Sequence, residues 1–77
     1  MRLRVEFTVE PFVEGDPGAH VLAAVDAARK HGLDVDFGPF GSSVTGDGDA
    51  VLAAVGDVVG AAIGAGATRV SVQVTRS

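Results

Sequence analysis

The chain has no cysteine, no tryptophan and no tyrosine. The missing thiols exclude disulfides and thiolate metal sites as reinforcement. Its 77 residues make one domain, residues 1–77. A chain of this size buries only about 60–65% of the surface its unfolded form exposes, so its own core is marginal. Association with further copies is then the remaining route to extra burial, and it is expected.

Positive charge is also scarce. Six basic residues stand against ten acidic ones, giving a net charge of −4. Arg2, Arg4, Arg29, Lys30, Arg69 and Arg76 are scattered along the chain. A nucleic-acid binder concentrates such residues on one face to displace counterions, so no nucleic-acid partner is expected. Nor is there a long hydrophobic run at the N-terminus, where charged and apolar residues alternate, unlike a signal peptide. Residues 51–67 are nearly all apolar, but the stretch is about 17 residues long, contains Asp57 and is interrupted by glycines. A span needs about 20 apolar residues, and a mid-membrane Asp costs about 2.5–3.5 kcal/mol, so a packed helix is expected and no membrane. The chain reads as cytoplasmic.

What is present is periodic. Leu3, Val5, Phe7 and Val9 alternate with Arg4, Glu6, Thr8 and Glu10, the pattern of a strand with one buried face. Pro11 ends it. Residues 12–18 form a loop, with Asp16-Pro17 as N-cap and first helical residue. Residues 20–31 read as a helix burying Val21, Leu22, Val25 and Ala28, closed by basic residues and a left-handed Gly32. Leu33, Val35 and Phe37 alternate with Asp34 and Asp36 in a second strand. After the Gly38-Pro39-Phe40-Gly41 turn, residues 42–45 give a short third strand.

Gly46-Asp47-Gly48-Asp49 leads into a second helix, capped by Asp47 or Asp49. Its apolar set is Val51, Leu52, Val55, Val58, Val59, Ala62 and Ile63. Gly56, Gly60 and Gly64 fall on one face, each costing about 1 kcal/mol relative to alanine. Such a stripe either admits close approach of another helix or reflects the Ala/Gly/Val-rich composition. The last strand alternates Val70, Val72 and Val74 with Ser71, Gln73 and Thr75.

Strand–helix–strand–strand–helix–strand with right-handed crossovers gives an α+β protein of the ferredoxin-like βαββαβ plait. Its four-stranded antiparallel sheet carries two helices on one face. The long first and last strands are expected to form the central pair. The helix-free face then carries Arg4, Glu6, Thr8, Asp34, Asp36, Ser71, Gln73 and Thr75. Its uncharged last strand suits a face-to-face or edge-to-edge subunit contact.

Catalytic constellations are lacking. The two histidines have no metal-pair spacing, Asp47 and Asp49 lack the ligand series of a calcium loop, and no Gly-Lys-Ser/Thr follows the turn to make a P-loop. No enzyme, cofactor or metal is expected. An acylphosphatase-like plait would need an arginine in the 12–18 loop, which has none. An RNA-recognition plait would need open-face aromatics, whereas Phe7 points with the apolar set.

The strand Glu6-Phe7-Thr8-Val9 before Pro11, the helix Val21-Leu22-Ala23-Ala24-Val25, the turn Gly38-Pro39-Phe40-Gly41-Ser42 and the ending Gly66-Ala67-Thr68-Arg69-Val70 resemble the small thiamine-binding protein family. The resemblance covers essentially the whole chain in order. It implies a plait assembled as a homodimer or homotetramer that binds thiamine or its hydroxymethylpyrimidine part without catalysis. The chain departs from the family pattern in four places. Ser42 stands where the family usually has Thr, Thr45 where it has Glu, Gly18-Ala19-His20 where serines often enter the first helix, and Gly60 where the second often carries His.

An aminopyrimidine wants a flat surface and hydrogen bonds; a thiazolium cation wants an aromatic face or a carboxylate. The candidate ligand-binding residues are Glu6, Thr8, Glu10, His20, Phe40, Ser42, Ser43 and Thr45. Phe40 would supply the surface, Ser42 and Ser43 hydroxyls, and Glu6 or Glu10 charge. The alternative is an oligomeric structural or regulatory module whose pocket has degraded, with Phe40 merely anchoring the hairpin. A small enzyme built around His20 ranks third.

Overall fold

A computed structural model describes residues 1–11, 18–38 and 41–77. The elements are β1 (Arg2–Glu10), α1 (Ala19–Lys30), β2 (Val35–Phe37), β3 (Ser42–Asp47), α2 (Gly48–Gly64) and β4 (Arg69–Arg76). One antiparallel sheet has the order β2-β3-β1-β4, and both helices pack on one face of it. This is the expected plait, with one correction: the central strands are β1 and β3, and β4 lies at an edge. Strand length misleads here. All four helix-facing residues of β1 are buried, as are Ser42, Val44 and Gly46 of β3, whereas Val70 and Val72 of β4 are half-buried and Val74 is 47% exposed.

β3 is central because its helix-facing side chains are small. A Cβ on Gly46 would lie 2.9 Å from Leu33 Cδ2, so a larger residue there would force the Leu33 side chain to shift. The strand also runs two residues further than its apolar content indicates, directly into α2. Asp47 caps that helix, its Oδ2 accepting from the Asp49 N–H at 3.2 Å. The Gly48 N–H donates to the Met1 carbonyl at 2.7 Å, and a Cβ on Gly48 would come within 3.0 Å of that same oxygen. Gly32 ends α1 with φ +74, the left-handed stop its position calls for. The Asp16-Pro17 cap lies outside the described residues.

The core joins Leu3, Val5, Phe7, Val9 and Val44 to Ala24, Ala28, Val51, Val58 and Ala62. Alanine at the facing positions lets the two helices approach closely, and His31 fastens them, its Nε2–H donating to Asp57 Oδ2 at 2.7 Å. Leu22, Leu52 and Ile63 are exposed rather than buried, by 49%, 53% and 51%. Gly56, Gly60 and Gly64 face away from the rest of the described chain, with nothing within 4 Å of a Cβ built on any of them. They admit no neighbour within the fold.

The two kinds of glycine predict opposite outcomes in urea unfolding. Gly60→Ala, in open space, should stabilise by about 1 kcal/mol. Gly48→Ala, forced against a main-chain oxygen, should destabilise by about 1–3 kcal/mol.

Candidate functional site

Period-two alternation puts Arg4, Glu6, Thr8 and Glu10 on the helix-free face of β1, and the strand registers assign their neighbours. Glu6 stands opposite Ser43 on one side and Gln73 on the other, and Ser43 stands opposite Asp36. One row therefore crosses the whole sheet: Asp36, Ser43, Glu6, Gln73. Thr8 stands opposite Ser71. On its other side is Gly41, where a Cβ would meet Thr8 Cγ2 at 3.2 Å. Gly41 in turn accepts from the Gly38 N–H at 2.8 Å. Two glycines side by side leave the sheet without side chains there. The result is a hollow of about 410 Å³ lined by Arg4, Glu6, Thr8, Asp36, Ser43 and Gln73, together with Ser71 and the two glycines. That volume lies within the usual range for small-ligand sites.

The hollow is acidic. Arg4 Nε donates to Glu6 Oε1 at 3.2 Å, both side chains half-exposed. Asp36 has no ion-pair partner among the described residues. Glu6 and Asp36 lie two strands apart, about 10 Å at ordinary strand spacing, with the Ser43 hydroxyl between them. The arrangement offers acceptors at both ends, hydroxyls in the middle and the Gln73 amide, which both donates and accepts. It suits a cationic or hydrogen-bonding planar molecule.

The candidate residues separate on this geometry. Glu6, Thr8 and Ser43 come together in the hollow. Ser42 pairs with Phe7, so its side chain turns towards the helices and is buried; only its main chain borders the hollow. Thr45 is exposed on the open face opposite Arg4, outside the lining. Glu10 lies near the end of β1, 3.6 Å from Arg69 Nε, and its carbonyl accepts from the Thr68 N–H at 2.8 Å. His20 is away from the hollow and only 8% exposed; its Nε2–H donates to the Pro11 carbonyl at 2.7 Å. A carbonyl oxygen only accepts, so this bond fixes the proton on Nε2. Phe40 lies outside the described residues. Arg4, Asp36, Ser71 and Gln73 join the site although the sequence marks them only as open-face positions.

A second groove, of about 450 Å³, runs between the helices along Ala23, Asp26, Ala27, Lys30, Asp57 and Ala61. Helical hydrogen bonding uses up the main chain there, and Asp57 is held by His31. The open face offers the more convergent polar set.

A sequence-family model described as thiamine-binding protein matches residues 5–76. No curated protein matches the sequence. Among solved structures, a Bacillus cereus domain of unknown function, DUF77, is 22% identical over 99% of this chain and 76% of its own, with a TM-score of 0.71. A Thermotoga maritima protein whose name proposes a role in thiamine biosynthesis or salvage is 20% identical over 97% of this chain and 81% of its own, with a TM-score of 0.56. Bacillus subtilis acylphosphatase is 20% identical over 97% of this chain and 87% of its own, with a TM-score of 0.59. At these identities the structural likeness carries the plait fold alone.

The His20 bond ties the end of β1 to the start of α1, apart from the hollow. His20→Ala should therefore lower the unfolding free energy by about 1–2 kcal/mol through the unsatisfied carbonyl. Circular dichroism of the folded protein should be unchanged.

Proposed function

Because the chain belongs to the thiamine-binding protein family, we propose that its open sheet face binds thiamine or the hydroxymethylpyrimidine part of thiamine, without catalysis. The observation that carries this reading is the cross-strand row Asp36–Ser43–Glu6–Gln73 beside the glycine-floored hollow. An aminopyrimidine presents ring nitrogens that accept and an exocyclic amine that donates. Ser43 and Gln73 supply donors, and Glu6 and Asp36 accept from the amine. The thiazolium cation is drawn by the same carboxylates. Arg4 shares the charge of Glu6, so Asp36 is the carboxylate most open to a cation.

The protein acts as a cytoplasmic homo-oligomeric binding protein in this reading. The acylphosphatase likeness does not argue for phosphoryl chemistry, because the loop after β1 contains no arginine. The competing reading, an assembly module with a degraded pocket, has its closing element in Phe40 or α2. Since α2 packs on the opposite face of the sheet, it does not cover this hollow.

Calorimetry and thermal shift with thiamine and with hydroxymethylpyrimidine test the proposal. Ligand at 100 times its dissociation constant should raise stability by about 2.7 kcal/mol. Ser43→Ala should weaken binding by roughly tenfold, the equivalent of about 1–1.5 kcal/mol. Ser42→Ala, whose side chain faces the helices, should leave affinity unchanged. The absence of both heat and stabilisation at millimolar ligand rejects the ligand and leaves the assembly module.

A further inference from the structure

Charge on the open face is divided along the strand direction, and the hollow uses mainly the acidic part. Asp36 and Glu6 share one cross-strand row with Ser43 and Gln73. The next row on the same face lies two residues along β1, about 7 Å away. There Arg4 stands opposite Thr45 on β3 and opposite Thr75 on β4. Both threonines are exposed, and among the described residues neither hydroxyl bonds to another protein group. One row further on, Arg2 stands opposite Asp47, so a carboxylate bounds the basic end. Arg4 is therefore the cation that lines the hollow, and the two threonines beside it are donors that the acidic row leaves unused.

The bond between Arg4 and Glu6 makes this row depend on the charge of the ligand. Arg4 Nε donates to Glu6 Oε1 at 3.2 Å. A purely cationic ligand that reaches Glu6 competes with Arg4 for that carboxylate. If the ligand wins, the guanidinium is left without a partner. A ligand that also carries an anion removes the conflict. Its cation takes Glu6, its anion takes Arg4, and one half-exposed internal pair is exchanged for two pairs with the ligand.

The spacing and the donors indicate which anion fits. It must sit about 7 Å from the acidic row, a short arm away from a ring lying there. A phosphoryl group has three terminal acceptor oxygens. They match a guanidinium with a hydroxyl on each side, whereas the two oxygens of a carboxylate leave one of these donors unused.

We propose that the Thr45–Arg4–Thr75 row is a phosphate subsite, and that the open face takes its ligand as a phosphate monoester. The ring lies over Asp36, Ser43, Glu6 and Gln73, and the phosphoryl group lies above Arg4. The polarity of the face fixes this orientation. Reversed, the phosphate would meet Asp36 and Glu6 while the ring cation met Arg4. An anion gains nothing from the overall charge of −4, so this row must supply the attraction. The inference rests on the open-face reading proposed above and adds the chemical class of the ligand to it.

Calorimetry on the full chain compares each ester with its own parent: thiamine monophosphate with thiamine, and hydroxymethylpyrimidine phosphate with hydroxymethylpyrimidine. At least one ester should bind about tenfold more tightly than its parent, the size of one charge-assisted hydrogen bond. The pair that shows the gain identifies the ring that carries the phosphate arm. Arg4→Gln should weaken that ester by about tenfold and strengthen its parent, because Glu6 loses its competitor. A merely structural role for Arg4 would move both affinities in the same direction. Thr75→Val, which suits a strand and removes the hydroxyl, should weaken the ester with the circular dichroism unchanged. Amide signals of Thr45 and Thr75 should move with the ester and stay still with the parent.

A parent that binds while neither ester binds more tightly overturns the phosphate subsite and leaves the open-face reading standing. So does an Arg4→Gln protein that loses both affinities alike, or a tighter ester that leaves Thr45 and Thr75 unmoved. The absence of binding by parents and esters together rejects both proposals.

Discussion

The register of β1 against β3 is the constraint on which the rest of this structure depends. It is fixed at one end by the bond from the Gly48 N–H to the Met1 carbonyl and continues through Val5 opposite Val44 to Phe7 opposite Ser42. A slip of one residue would turn every β3 side chain to the other face. Ser43 would move under the helices and Ser42 into the open hollow. Gly46 would leave the place where Leu33 needs room. The same register that lets the helices settle on small residues therefore assembles the polar row on the far side.

Energetically the two faces are unequal. The helix side is sealed by valines and alanines with few large groups, and Val51 is the largest side chain that is completely buried among the described residues. A core built from such small side chains yields little burial per residue. The open face contributes little to stability, since its ion pair between Arg4 and Glu6 is half-exposed. What it provides is chemistry: two carboxylates, hydroxyls and an amide on a rigid sheet, next to a patch that Gly38 and Gly41 leave bare. A site on strands rather than loops is already in place before any ligand arrives.

Much of the fold is legible in the sequence because the alternation of β1 and β4 and the stops at Gly32 and after Gly64 are strong local signals. The centre of the sheet is not, because centrality is a property of neighbours. β3 offers only Val44 as a strongly apolar residue, yet it is buried on its helix side because α2 and Leu33 close over it. Leu22, Leu52 and Ile63 carry the periodicity of core residues but lie on helix flanks that the rest of the described chain leaves uncovered. For the site, parity alone places Glu6, Thr8 and Asp36 on one face. The pairing that selects Ser43 over Ser42 and brings in Gln73 requires the register, which depends on distant residues. His20 illustrates the limit: a histidine beside a loop suggests a cleft, and only the structure shows its ring already bound to the Pro11 carbonyl.

The central claim is that the helix-free face receives the ligand. Amide and side-chain chemical shifts of the labelled protein during a thiamine titration test it most directly. The account predicts movements at Arg4, Glu6, Thr8, Asp36, Ser43, Ser71 and Gln73, alternating with quiet neighbours along each strand, while the groove between α1 and α2 stays still. Movements clustered at Ala23, Asp26, Lys30 and Asp57, with the sheet residues unmoved, would contradict it.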